Sequence, residues 1–161
     1  MLDVGAGKGA VSNLVQRIGN CEVYALDSNK KRIALIQRKF PNLKTCLSGS
    51  ESIPFPDGFF NKIFSTLAVH HFGNQEKAIR EFGRVLRPGG VLVIVEMSPR
   101  KSMGRLARFF ENRVLRSHLT FLDIGELMDI LKRHGVFDIK ENAQGSSYYF
   151  VQAVRQATPH E

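Results

Sequence analysis

The chain has 161 residues, 43% of them hydrophobic and 24% charged, a composition that excludes a disordered or fibrous protein and allows one domain with a real core. Its longest apolar run, Val91 to Val95, is far too short to cross a bilayer, and no basic-then-apolar leader opens the sequence, so a cytoplasmic address is expected. A formal net charge of +8 asks for an anionic partner, because Arg100, Lys101, Arg105, Arg108, Arg113 and Arg116 crowd into a segment holding one acid, Glu111.

Met1 to Val4 read as the end of a buried strand, and a glycine loop follows. Val11, Leu14, Val15 and Ile18 then recur at helical spacing, which predicts a helix with Gly19 at its C-terminal cap. CEVYALD (21–27) predicts a second strand ending in an acid, and KKRIALIQRKF (30–40) a second helix stopped by Pro41. LKTCLSG (43–49) is a third short strand, SIPFPDGFF (52–60) a proline-bracketed loop, and NKIFSTLAV (61–69) a fourth strand. Ala78, Ile79, Phe82, Val85 and Leu86 trace a helix that RPGG (87–90) ends. VLVIVEM (91–97) is a fifth strand, continuously apolar as strands covered on both faces are.

Beyond the basic segment, Asp123 and Glu126 have capping-box spacing. Ile124, Leu127, Met128 and Leu131 form a buried stripe that Gly135 closes. VFDIKENA (136–143), the turn QGSS (144–147) and YYFVQAVR (148–155) predict an antiparallel hairpin. The alternation specifies an α/β fold: a Rossmann-like, doubly wound, mostly parallel sheet with a C-terminal antiparallel hairpin. One domain spans 1–155, and 156–161 form a loose tail. Cys21 and Cys46 make no CxxC pair and no metal site, and read as small buried hydrophobes, as Phe59, Phe60 and Phe64 read as core.

In such sheets the ligand lies past the carboxyl ends of the strands where strand order reverses, which is where LDVGAGKG (2–9) falls. Gly5 and Gly7 let the chain turn sharply and approach a ligand, and a helix starting near Gly9 aims free N–H groups at it. Gly5, Gly7 and Ala10 also satisfy the dinucleotide pattern, with Asp27 at the ribose-binding distance. Asp3 separates the candidates: a carboxylate facing the ligand's centre repels a pyrophosphate and attracts the amino group of S-adenosylmethionine. The Walker frame fails because Gly9, not Ser or Thr, follows Lys8.

LDVGAGKG, VYALDSN (23–29), SGSESIPFPDGFF (48–60) and EFGRVLRPGGVLVIVE (81–96) together resemble the class I S-adenosylmethionine-dependent methyltransferases, in the type 11 group that includes the quinone-biosynthesis enzymes. Residues 120–154 are similar to that group's C-terminal helix and hairpin. The resemblance implies that Asp3, Gly5 and Gly7 hold the methionine portion of S-adenosylmethionine, with Gly9 letting the helix start close by. It implies further that Asp27 accepts both ribose hydroxyls, that Ser28 neighbours the adenine, and that backbone carbonyls near Thr66 and Leu67 lie under the methionine end. Where the family has Gly-Asp after the third strand this chain has Gly49-Ser50, so Ser50 or Glu51 would accept the adenine amino group.

Methyl transfer from a sulfonium is an in-line displacement that needs alignment more than a base. Where the acceptor must lose a proton, His70 and His71 after the fourth strand are the catalytic candidates, with Glu96 a weaker one. STLAVHHF lacks the Asp/Asn-Pro-Pro-Tyr arrangement for exocyclic base nitrogens, which disfavours nucleic-acid bases and leaves a small-molecule or lipid-like acceptor. If helical, residues 102–116 set Met103, Leu106, Ala107, Phe110 and Val114 against Arg105, Arg108 and Arg116, a face for an anionic substrate or surface through 100–116. Related proteins carry helices before the first strand. The expected cover is therefore residues 98–120, a second subunit in a homodimer, or residues upstream of Met1. The rival readings are a non-catalytic S-adenosylmethionine-binding or interaction module and, from the charge, an RNA-directed methyltransferase.

Overall fold

The computed structural model describes residues 1–98, 120–134, 137–145 and 147–157. Among the described residues seven strands form one sheet: β1 (Leu2–Val4), β2 (Tyr24–Asp27), β3 (Lys44–Leu47), β4 (Phe60–Thr66), β5 (Leu86–Met97), β6 (Phe137–Gln144) and β7 (Tyr148–Arg155), in the spatial order β3-β2-β1-β4-β5-β7-β6. Pairing is parallel from β3 to β5 and antiparallel where β7 joins β5 and β6 joins β7. Strand order therefore reverses between β1 and β4, and the chain is the doubly wound sheet with a terminal hairpin that its sequence predicts.

Among the described residues the α-helices are α1 (Ala10–Gly19), α2 (Lys30–Lys39), α3 (Gln75–Val85) and α4 (Ile124–Arg133). Alternate strand residues feed two cores, as the period of two requires. Leu2, Val4, Leu26, Ile63, Leu92 and Ile94 pack with α3 and α4; Ala25, Ile33 and Ile36 form a smaller cluster on the α2 side. The capping box at Asp123 and Glu126 is present: each side chain accepts from the other residue's backbone N–H, at 3.0 and 2.7 Å.

Several expectations are corrected. The cap of α1 is Asn20 in the left-handed region, its N–H bonding Gln16, while Gly19 remains helical. RPGG does not precede β5 but lies inside it: Leu86 pairs with Phe60, the register shifts, and Val91 pairs with Lys62. Phe59 stands at the exposed rim of an aromatic cluster with Tyr24, Phe55 and Phe60, so it is not core, and both cysteines are only half-buried. The apolar row of α1 forms but is not covered, with Leu14 54% and Ile18 77% exposed. The basic segment 100–116, most of the suggested cover 98–120, Gly135, Ser146 and the last four residues of the tail lie outside the described residues. No helix among the described residues is long and apolar enough to cross a membrane.

The loop from β3 to β4 crosses half the sheet without a helix, and Arg84 makes several of the bonds that hold it. Arg84 on α3 donates to the Ile53 and Phe55 carbonyls (2.8 and 2.9 Å), to Asp57 (2.8 Å) and to Glu81, whose carboxylate also accepts Ile53 N–H. The bonds from Arg84, set against burial, hold the Glu81 carboxyl below its ordinary range. Replacing Arg84 by Met leaves two loop carbonyls and Glu81 without these partners. The expected loss is about 1–3 kcal/mol of unfolding free energy, read from urea denaturation; an unchanged midpoint would show that the loop holds without it.

Candidate active site

Glycine geometry at the end of β1 creates the cavity. Gly5, Gly7 and Gly9 all have φ in the left-handed region, +81°, +56° and +76°, where side-chain-bearing residues are strained. Each lacks a side chain for a different reason. A Cβ on Gly5 would stand 2.3 Å from Ala68 Cβ and one on Gly9 2.9 Å from Ile36 Cγ1, whereas one on Gly7 would meet nothing nearer than Gly5 O at 4.0 Å. Gly5 thus lets the loop close against the end of β4, Gly9 lets α1 sit on α2, and Gly7 borders open space.

That space is a cavity of about 390 Å³ at the carboxyl ends of β1, β2 and β4, within the ordinary range for small-molecule sites. It brings together Gly5, Gly7, Asp27, Ser28, Ser50, Glu51, Leu67 and His71 of the predicted site residues. Thr66 and Leu67 form one wall; Leu67 is held at φ +53°, rare for a residue with a side chain, with its N–H on Val95 O at 2.8 Å. Asp27, 4% exposed, accepts the Gly7 N–H on Oδ2 at 2.9 Å and the Asn29 N–H on Oδ1 at 2.8 Å. The same carboxylate therefore ties the glycine loop to the N-terminus of α2.

Glu51 takes the Asn74 N–H at 3.0 Å. Burial pushes its carboxyl up, but hydrogen bonds from the Asn74, Glu51 and Gly73 backbone and from Ser50 outweigh it and leave it below the usual range. Glu51, one residue beyond the Gly49-Ser50 pair, thus presents its carboxyl at the cavity.

Three predicted residues lie elsewhere. Gly9 is buried under α2, as described. Asp3 sits behind the loop, 2% exposed, accepting the Ser12 hydroxyl at 2.5 Å, so it supports the loop from below rather than lining the cavity. His70 is buried beside His71, their ring centroids 4.2 Å apart, with its Nδ1 2.7 Å from Glu96 Oε1 and its ring stacked on Phe121 at 4.6 Å. Glu96 also accepts the N–H groups of His70 and Met97. The two histidines are therefore separated by role: His71 is exposed at the cavity and His70 is a buried partner of Glu96. Among the described residues no group of three or more His, Cys, Asp or Glu stands together as a metal site would.

The cavity also holds Lys8, Arg32 and Phe72, which the sequence reading did not single out. Arg32 Nη1 lies 3.5 Å from Asp27 Oδ2. Its signal in the sequence is faint: a cation in the first turn of the helix that follows Asp27.

The profile of the methyltransferase domain family matches residues 2–94. A demethylmenaquinone methyltransferase of Chlorobaculum tepidum is 31% identical over 104 residues, covering 64% of this chain and 43% of that protein. A ubiquinone/menaquinone biosynthesis C-methyltransferase of Neisseria meningitidis is 31% identical over 104 residues, covering 61% of this chain and 42% of its own length. The chain thus spans less than half the length of these relatives. The structure of an S-adenosylmethionine-dependent methyltransferase from Mesorhizobium loti superposes with a TM-score of 0.82 at 19% identity, over 96% of this chain and 89% of the other.

Two outcomes check the site's construction. Gly5→Ala should lower the melting temperature strongly, because backbone beside Ala68 must move, whereas Gly7→Ala should keep the fold at a cost of about 1–2 kcal/mol from the left-handed backbone; thermal melts compare them. Asp3 supplies the second. Burial, against the Ser12 hydrogen bond and helped by Asp27, raises its carboxyl from 3.8 to about 7. The folded state then holds a proton that the unfolded chain has released, so stability falls as pH rises from 3.8 to about 7 and levels off above it. Asp3→Asn should remove that slope, worth on the order of 4 kcal/mol across the window. Parallel slopes in denaturation series of both proteins would refute it.

Proposed function

We propose that this chain, which belongs to the methyltransferase domain family, binds S-adenosylmethionine in the cavity beside β1 and transfers its methyl group to a small, lipid-like acceptor of the quinone class. S-adenosylmethionine is the cofactor the family implies, and when bound it supplies an electrophilic methyl on a sulfonium with a neutral leaving group. The observation that carries the reading is Asp27, a nearly buried carboxylate fixed by two backbone N–H groups at the cavity wall. Such a group presents paired acceptors to a vicinal diol.

The other residues fit the rest of the cofactor. The missing Cβ of Gly7 leaves room for close approach along the loop, and Ser50 and Glu51 offer acceptors at the adenine end. The Thr66 to Ala68 wall lies where the methionine end would be placed. His71 is the side chain at this edge able to take a proton from an acceptor, and His70 with Glu96 holds the turn that carries it. The acceptor class rests on the quinone methyltransferases named among the relatives and on the absence from STLAVHHF of a base-nitrogen motif.

Titration calorimetry with S-adenosylhomocysteine tests the site. Asp27→Ala should weaken binding roughly 10- to 100-fold, the effect of removing hydrogen bonds to a charged acceptor. Equal affinity in that variant would overturn the placement. Transfer of a labelled methyl group from S-adenosylmethionine to the reduced, hydroquinone form of a demethylated isoprenoid quinone, absent in Asp27→Ala, tests the acceptor class.

A further inference from the structure

We propose that Arg32 is a specificity-determining residue that competes with the ligand's ribose for Asp27 and must leave it before the diol can be held. The inference rests on the reading of the cavity as the nucleoside site. Asp27 has about four lone-pair positions on its two oxygens. The Gly7 N–H occupies one on Oδ2 and the Asn29 N–H one on Oδ1, and both donors are backbone groups fixed by the loop and by the start of α2. One position then remains on each oxygen, which matches one hydroxyl of a vicinal diol apiece. Arg32 Nη1, 3.5 Å from Oδ2, takes the position left on that oxygen.

The geometry lets Arg32 move where the backbone donors cannot. Its side chain is 50% exposed against 4% for Asp27, it stands in the first turn of α2, and it borders the cavity. An ion pair with one partner this exposed is weak and screened by salt. Arg32 therefore occupies the ribose position without closing it.

A consequence separates this arrangement from simple attraction of ligand to a charged pocket. Salt weakens the competitor and leaves the hydrogen bonds of an uncharged diol largely untouched, so affinity for S-adenosylhomocysteine should rise with ionic strength. A ligand with a single ribose hydroxyl can use the position left on Oδ1 and should not sense Arg32.

The experiment is calorimetric titration of wild type, Arg32→Ala and Asp27→Ala with S-adenosylhomocysteine and its 2′-deoxy analogue, at about 0.02 M and about 0.5 M NaCl. Arg32→Ala should bind S-adenosylhomocysteine roughly 2- to 5-fold tighter than wild type at low salt, the gap closing at high salt and vanishing for the deoxy analogue. Weaker or unchanged binding by Arg32→Ala, with Asp27→Ala strongly impaired, overturns the role of Arg32 and leaves the nucleoside site standing. Undiminished binding by Asp27→Ala, or no binding by any of the three proteins, overturns the site reading and this proposal with it.

Discussion

The approach of Gly5 to Ala68 is the constraint on which the site depends. The β1 loop and the segment leaving β4 meet where strand order reverses, so their separation fixes the depth of the crevice between them. Because no side chain intervenes at Gly5, the loop folds against Ala68, and the Gly5 and Ala6 N–H groups both reach Leu26 O at 2.9 Å. That bond pattern carries the loop over the end of β2, which brings Gly7 to Asp27. Cavity, the Gly7–Asp27 contact and loop conformation therefore depend on one glycine's missing atom.

Two carboxylates near this loop have been given different work by their surroundings. Asp3 takes one hydroxyl donor in a nearly waterless position, and burial pushes it up until it keeps a proton near neutrality. Asp27 takes three N–H donors, two from the backbone and one from Arg32. The first serves as a support beneath the loop, and the second borders the cavity and ties the loop to the start of α2. Residue type alone does not distinguish them, since both lie in buried strands and both are nearly inaccessible.

That difference also marks how far the sequence could be read. Periodicity located the seven described strands and the four described α-helices, because apolar spacing of two or of three and four is imposed by the same geometry that buries the residues. It missed the short turn of helix at Val69–His71 and the early start of β5 at Leu86. The glycine loop and Asp27 were legible because a backbone conformation and a pair of acceptors need particular residue types. What was not legible depends on which side of the chain a group faces. Asp3 and His70 carry the right chemistry, yet strand parity sends Asp3 toward α1 and the turn at Val69–His71 buries His70 against Glu96. Arg32 was invisible for the complementary reason: a lysine- and arginine-rich helix start reads as solvated surface until the fold lays one of those cations beside an acid.

The uncovered row on α1 shows the same limit for packing. Val11, Leu14 and Ile18 have the spacing of a buried stripe, but burial of α1 is centred on Ser12, and Val15 alone of the four predicted apolar positions is drawn toward the smaller core. Helical period therefore establishes that a face is apolar without establishing what lies against it. The polar Ser12 takes the innermost place because Asp3 needs a hydroxyl donor there, and an apolar residue in that position would leave a buried carboxyl unsatisfied. Support for the loop thus outranks apolar burial at the centre of the α1 interface, and the helix is rotated accordingly.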